Sequence, residues 1–356
     1  MSSLSLGVAS LIPLVNRIPG QAYLWVAVLI FGSSSAVTRK ITELGAHHFM
    51  GGENPISLCN VLFVGNLCAL VLLTFIHRRQ WNRPTLSQFS RREWLTLGIV
   101  AILSGALAPG LIFQSLASTS VTNVVLLGRL EPPLTLALSL WLLRDRVTGW
   151  QIGGAMMAFI GVALILLLQP APEGMMPMAG ISVGLGELLA AAGAVILSIS
   201  TIIAKKGLTK VPLGIYSTVR TGLGTLIFFV TALILYGSDH FMGVLSPFLW
   251  QWMLLYGIII VVVGQSFWIA GLRASSVSTA SVIGSFAPIA GILAAYLILD
   301  EVPTHAHYLG GSVILLGLIL SQVGIYRKAA PKTVITPTNS VQAEQAIEST
   351  MGFKGI

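Results

Sequence analysis

Apolar residues run along this chain in long unbroken blocks, such as Ile258–Val263, rather than in strict alternation with polar ones. Blocks of about 20 apolar residues are what an α-helix needs to cross a bilayer, whereas a membrane β-barrel needs alternation. Read in order, the blocks predict ten spans. They are Gln21–Thr38, Pro55–Ile76, Glu93–Phe113, Val121–Leu143 and Thr148–Gln169, then Ser182–Ala204, Pro212–Tyr236, Pro247–Ala270, Ser276–Leu299 and Thr304–Tyr326. The expected fold class is therefore an all-α polytopic membrane protein. Its parts are an N-terminal arm (1–20), a first five-span repeat (21–169), a second (182–326) and a disordered cytoplasmic tail (327–356) rich in polar residues.

Composition narrows the class further. Of 356 residues, 55% are hydrophobic and only 9% are charged, against roughly 25% charged in a soluble domain. That excludes a soluble enzyme. The net charge of +8 invites a nucleic-acid reading, but the placement of the bases removes it. Sixteen of the 20 Lys and Arg fall in the N-terminal arm, in the joins after spans 2, 4, 6 and 8, or in the tail. Only Arg39 and Lys40 fall on the other side, and Arg129 and Arg220 lie within spans. This positive-inside bias predicts both termini in the cytoplasm and insertion in the plasma (inner) membrane, with the bases facing anionic lipid. Cys59 and Cys68, nine residues apart in one span, face different ways and read as packing residues.

The chain repeats itself. Shifted by 156 residues, Leu116–Leu164 overlays Leu272–Leu320 without a gap, with Ser120/Ser276, Gly128/Gly284, Pro132/Pro288, Thr148/Thr304, Gly154/Gly310 and Gly161/Gly317 identical. The front parts correspond with a small indel, Arg39-Lys40 against Lys205-Lys206. Five spans per repeat is an odd number, so the halves are expected to insert in opposite orientations. The charges agree: Arg144-Asp145-Arg146 is basic, while its counterpart Asp300-Glu301-Val302 has no base. Inverted repeats are a mark of secondary transporters, with the substrate near the midplane between the repeats.

Each half also resembles the EamA-type domain of the drug/metabolite transporter superfamily. The resemblance rests on Ala117-Ser118-Thr119-Ser120, Pro132, Asp145, Gly154 and Gly161, and again on Ala274-Ser275-Ser276, Pro288, Glu301, Gly310 and Gly317. Phe31-Gly32-Ser33 in the first span matches a Trp-Gly near that point in the family; the second copy has Leu197-Ser198-Ile199 instead. The resemblance implies a ten-helix transporter of amino acids and other small metabolites, and leaves the substrate open.

Candidate chemistry lies where charge or proline interrupts the spans. Pro109-Gly110, Pro132-Pro133 and Pro288 remove backbone hydrogen bonds and free carbonyls a turn back, which is tolerated beside a lined cavity. Spans 3, 4, 8 and 9 are thus expected to line it. Arg129 and Glu131 fall at the centre of span 4, and Arg220 in the cytoplasmic third of span 7. A charge at such depth costs at least about 2.5–3.5 kcal/mol. On an unbroken helix Arg129 and Glu131 point oppositely, so either each faces different surroundings or Pro132-Pro133 rearranges them. One reading gives Arg129 or Arg220 a substrate carboxylate or phosphate, and Glu131 a proton-coupling role. The other is a buried Arg–Glu pair that ties helices together, with Arg220 as a partner for Glu131. Gln265, Trp268 and Asn123 are further substrate-binding candidates. Ser33, Asn60, Asn66, Gln114, Trp25 and Ser285 rank behind them. Glu187 is expected to snorkel at the outer end of span 6, and His305 and His307 to sit in a solvated loop. No spacing suits a metal, and no cofactor is expected. The Gly149/Gly153 step and Gly310, Gly317 and Gly324 predict close helix packing, within the fold or in a homodimer.

The leading function is a secondary exporter of amino acids or related small metabolites, with proton coupling as one option. Alternatives are a transporter or exchanger of organic or phosphorylated anions, and a non-transporting membrane scaffold. An intramembrane enzyme would need a nucleophile–base pair or a metal set within the spans, which the sequence does not offer. It also carries no GxxxxGK[ST] motif for primary active transport.

Overall fold

The structure, a computed structural model, describes residues 20–45, 58–143, 147–168, 184–208, 210–236, 247–274 and 277–328. The N-terminal arm, most of the tail, Arg144-Asp145-Arg146 and the join between the repeats lie outside them. The described residues are helical and hold no strand. In chain order the helices are α1 (Gly20–Gly45), α2 (Leu58–Ile76), α3 (Arg91–Ile102), α4 (Ala108–Ser118), α5 (Val121–Leu127), α6 (Glu131–Leu138) and α7 (Gly149–Leu168). They continue with α8 (Leu185–Gly207), α9 (Leu213–Tyr236), α10 (Pro247–Tyr256), α11 (Gln265–Ala274), α12 (Val277–Gly284), α13 (Ala287–Leu299) and α14 (His305–Lys328). A one-turn helix, Arg83–Leu86, is capped by Asn82 in the join after α2. Ser90 and Glu93 form a reciprocal capping box that starts α3.

Several elements are collinear pieces of one rod. A π-helical segment, Leu103–Leu107, joins α3 to α4 just ahead of Pro109, and another, Gly257–Gly264, joins α10 to α11. A 3-10 turn, Gly128–Leu130, joins α5 to α6. Among the described residues six helical rods are long and apolar enough to cross a membrane: 21–45, 91–118, 121–143, 149–168, 185–207 and 305–324. Leu62–Phe75, Trp250–Ile260 and Ala287–Leu299 are shorter apolar helices. Large apolar side chains are exposed along the rods, among them Leu29, Phe75, Leu95, Trp141 and Ile234. Such a surface suits hydrocarbon, because lipid tails are as apolar as these side chains.

Two packing relations hold the halves together. α7 and α14 cross antiparallel at their glycines: an added Cβ on Gly317 would lie 2.6 Å from the Gly154 carbonyl oxygen, and one on Gly161 would lie 2.6 Å from that of Gly310. Gly324 packs on Thr148 and Trp150. Residue numbers fall on one helix as they rise on the other. Because Gly154 is equivalent to Gly310 and Gly161 to Gly317, exchanging the repeats maps this crossing onto itself. Gly310, Gly317 and Gly324 are thus spent inside the chain, whereas a Cβ on Gly149 would meet nothing within 4 Å.

The second relation sets α1 against α13 and α8 against the α5–α6 rod. A Cβ on Gly32 would lie 2.7 Å from the Ala287 carbonyl oxygen. At the equivalent place the Ser198 hydroxyl donates to the Glu131 carbonyl at 3.0 Å. Small residues at these crossings let backbones approach, which is how helices associate where lipid supplies no hydrophobic drive.

Candidate functional site

The α5–α6 rod breaks where its prolines dictate. Pro132 and Pro133 have no N–H to give the carbonyls of Gly128 and Arg129. The chain tightens into the Gly128–Leu130 3-10 turn, and the Glu131 N–H bonds to the Gly128 carbonyl. The second repeat breaks at the same place: Phe286 N–H bonds to the Ile283 carbonyl just before Pro288.

Arg129 lies in this turn and Glu131 directly after it. Both side chains are buried, 4% and 1% exposed. Both line one small cavity of about 60 Å³, with Gly128, Val124 and Val125 beside them. The remaining walls are Phe31, Gly32, Ser34 and Ser35 of α1, Ile112 of α4, Ala190, Ala194 and Leu197 of α8, and Ala287 of α13. The expected lining of spans 3, 4, 8 and 9 therefore gains spans 1 and 6, and the wall residues include none from α10 or α11. The missing signal was the run of small residues in Gly32-Ser33-Ser34-Ser35 and Ala190-Ala191-Ala192-Gly193-Ala194. Such runs leave room between helices that bulkier spans fill. Beside this wall the buried Tyr256 of α10 hydrogen-bonds Ser34 and Thr38 through its hydroxyl.

The other candidates go elsewhere. Arg220 is 9% exposed on α9; its carbonyl presses on Gly105 and its guanidinium lies 6.0 Å from the Tyr216 ring centroid. It is not among the cavity's wall residues. Trp268 is 2% exposed in an apolar cluster with Leu24, Met253 and Ile283. Gln265 opens α11, and its side chain is outside the described ones. Asn66 is buried, with Nδ2 close to Gly224.

Asn123 belongs to a second polar cluster at one end of the bundle. Its Nδ2 donates to Glu187 Oε1 at 2.9 Å and to Thr119 Oγ1 at 3.0 Å. Thr119 Oγ1 also donates to Glu187. On the other side, Asn123 Oδ1 lies 2.6 Å from His307 Nε2. His307 is 6% exposed, which corrects the expectation of a solvated loop: its Nδ1 accepts from Thr304 N–H at 3.0 Å and so starts α14. Glu187, half-buried at the start of α8, is bonded to side chains of the first repeat rather than snorkelling alone. Beside it, Glu301 accepts from Val121 N–H at 3.0 Å and Thr122 N–H at 3.2 Å, capping the positive end of α5. Asp300 makes this reach possible. In the left-handed region, with φ 57°, it ends α13 and turns Glu301 toward α5. Arg39 of α1 donates to the carbonyls of Leu116 and Thr119 and pairs with Glu43 at 2.9 Å.

Apolar rods carrying a lipid-suited surface, folded as two matching halves around a buried ionisable pair, define the class: a multi-pass membrane transport protein. The comparisons with known proteins agree. The model of the EamA-like transporter family matches twice, over residues 18–167 and 184–322. An uncharacterized transporter of Synechocystis sp. is 45% identical over 342 residues, 96% of this chain and 97% of that protein. A solved crystal structure with 20% sequence identity matches 87% of this chain and 99% of its own, with a TM-score of 0.52, a likeness of fold alone. The chain belongs to the EamA-like transporter family, of the drug/metabolite transporter superfamily.

Proposed function

We propose that this protein is a secondary transporter that exports amino acids or related small metabolites across the plasma membrane by alternating access, in exchange for protons. Its ten spans form two inverted repeats with both termini cytoplasmic, and the Arg129–Glu131 cavity is the substrate site. The observation that carries the reading is the burial of a guanidinium and a carboxylate together at a proline break, in a cavity walled by both repeats. A buried charge in a span is expensive unless it serves a ligand or a partner. Arg129 offers planar, bidentate recognition of a substrate carboxylate. Glu131 offers the substrate ammonium a counter-charge, and can hold a proton when the ammonium is absent. The antiparallel, self-matching crossing of α7 and α14 supports the inversion of the repeats. The bias of bases toward the joins after even-numbered spans supports the orientation.

Transport of a panel of amino acids, organic anions and organic cations into proteoliposomes, with and without a pH gradient, tests the reading. A carboxylate-bearing substrate is expected to move and to be driven by the gradient. Glu131→Gln is expected to retain exchange of substrate while losing its pH dependence. Unchanged gradient-driven transport in Glu131→Gln would remove the proton role. Movement of no member of the panel would remove the substrate assignment.

A further inference from the structure

The cluster around Asn123 joins the repeats at one end of the bundle. Thr119 and Asn123 come from the first repeat; Glu187, Glu301, Thr304 and His307 come from the second. These bonds must part if the repeats separate there. By the orientation proposed above, this end is the external one.

His307 gives the cluster a titratable member whose protonation state the geometry dictates. Nδ1 faces the backbone N–H of Thr304, an obligate donor, so Nδ1 holds a lone pair. The ring is then neutral with its proton on Nε2, which donates to Asn123 Oδ1. That in turn orients Asn123 Nδ2 toward Glu187. The whole chain has one consistent direction. A proton taken up at Nδ1 would put N–H against the Thr304 N–H, leaving the Thr304 hydroxyl, 3.1 Å from Nδ1, as the acceptor to turn to, and ring or cap would have to shift. The first repeat shows what a cap without titration looks like. At the equivalent position Gln151 Oε1 accepts from Thr148 N–H at 2.8 Å, as His307 does from Thr304. Only the copy at the Glu301 end carries a histidine.

Other ionisable groups face the same ring. Glu301 lies on the join ahead of α14 and Glu187 on α8 beyond Asn123. Tyr296 of α13 and Tyr308 of α14 line, with His307, a groove of about 330 Å³. Past Thr119 lies the Arg39–Glu43 pair of α1. The groove reaches the buried ring from the α13–α14 surface and is walled mainly by apolar side chains, Ile289, Leu293 and Leu315 among them.

We infer that His307 is the proton-operated pin of an inter-repeat latch: neutral, it holds this end shut through Asn123 and Glu187, and proton uptake at Nδ1 releases it. The inference rests on the proposed transport cycle only for the name of the side. Its test reads conformation and not transport, so loss of the substrate assignment would leave it standing.

The full chain, with Cys59 and Cys68 replaced by alanine, would be spin-labelled at Ser118 and Val302 in nanodiscs, and the distance between the labels measured at pH 7.5 and pH 5. The parent protein should show a short distance at pH 7.5 and a growing long-distance population at pH 5. One linked proton changes the ratio of the two populations by at most about tenfold per pH unit. His307→Gln keeps an acceptor for Thr304, as Gln151 does for Thr148, and has an amide N–H to offer Asn123, so it should stay short at both pH values. Asn123→Ala should show the long population at both. An acid response that persists in His307→Gln, its absence from the parent protein, or a short distance throughout in Asn123→Ala would overturn the inference. Loss of the response in Glu187→Gln with persistence in His307→Gln would overturn it too, in favour of the carboxylate.

Discussion

Gly317→Ala isolates the contact between the repeats. The added Cβ would sit 2.6 Å from the Gly154 carbonyl oxygen, 2.8 Å from the Ala158 nitrogen and 3.0 Å from the Met157 Cβ. Two of these three obstacles are backbone atoms, so no rotamer change relieves them. Restoring a normal separation of about 3.5 Å at the 2.6 Å contact moves the helices apart by roughly 0.9 Å. Overpacking of this kind costs about 1–3 kcal/mol. Against it stands the greater stiffness of alanine, worth about 0.5–1 kcal/mol in a helix interior. The expected net loss is therefore about 1–2 kcal/mol. Gly149→Ala is the matched control: its Cβ would meet nothing within 4 Å, leaving only the favourable term, so it should be neutral or slightly stabilising. Reversible denaturation of the purified protein in bicelles would give both values. The pair Gly154→Ala and Gly317→Ala should also be less than additive, since one displacement relieves both clashes. Equal stability of Gly317→Ala and Gly149→Ala would refute the close crossing of α7 and α14.

Ser198→Ala removes a hydroxyl shared between the Glu131 carbonyl at 3.0 Å and the Ala194 carbonyl at 2.8 Å and should lower stability by about 1 kcal/mol, read by the same denaturation. Glu301→Gln keeps one acceptor but loses the charge at the α5 N-terminus and one of the amide bonds. At about 1 kcal/mol, it should raise the long-distance spin-label population about fivefold at pH 7.5.

Much of the architecture is legible in one dimension because a bilayer asks for one thing, a long apolar helix. The 156-residue repeat was equally readable, since Gly154, Gly161, Gly310 and Gly317 are held by backbone contact and tolerate no side chain. The site was readable only in part. Arg129 and Glu131 stand out by charge, but their convergence on one cavity depends on the 3-10 turn at Gly128–Leu130, which helical periodicity does not foresee. Arg220 and Trp268 carry the same signals as site residues and are buried elsewhere. Periodicity assigns a residue to a helix face, and a face says nothing about which neighbour it meets. His307 was misread because it lies beside Asp300 and Glu301, which look like a solvated join. Its repeat counterpart, Gln151 of a Thr-x-x-Gln cap, was the available clue.

The repeats keep their packing and differ in their chemistry. Arg129 is equivalent to Ser285, Glu131 to Ala287, His307 to Gln151 and Ser198 to Gly32. Arg129, Glu131 and His307 therefore each occur on one side of a symmetric frame only. Symmetry of the frame would give the two end states of the proposed cycle nearly equal packing, because the α7–α14 crossing is the same when the repeats exchange. A transporter needs that near-degeneracy, since a ligand or proton can shift an equilibrium only by its differential affinity for the two states. Asymmetry of the chemistry then gives the Glu301 end a trigger that its counterpart lacks. A proton on His307 acts only at the Glu301 end, and nothing equivalent titrates at Gln151. On this argument direction of transport is written in the few positions where the repeats disagree, and those positions, rather than the shared glycines and prolines, are where relatives with other substrates should differ.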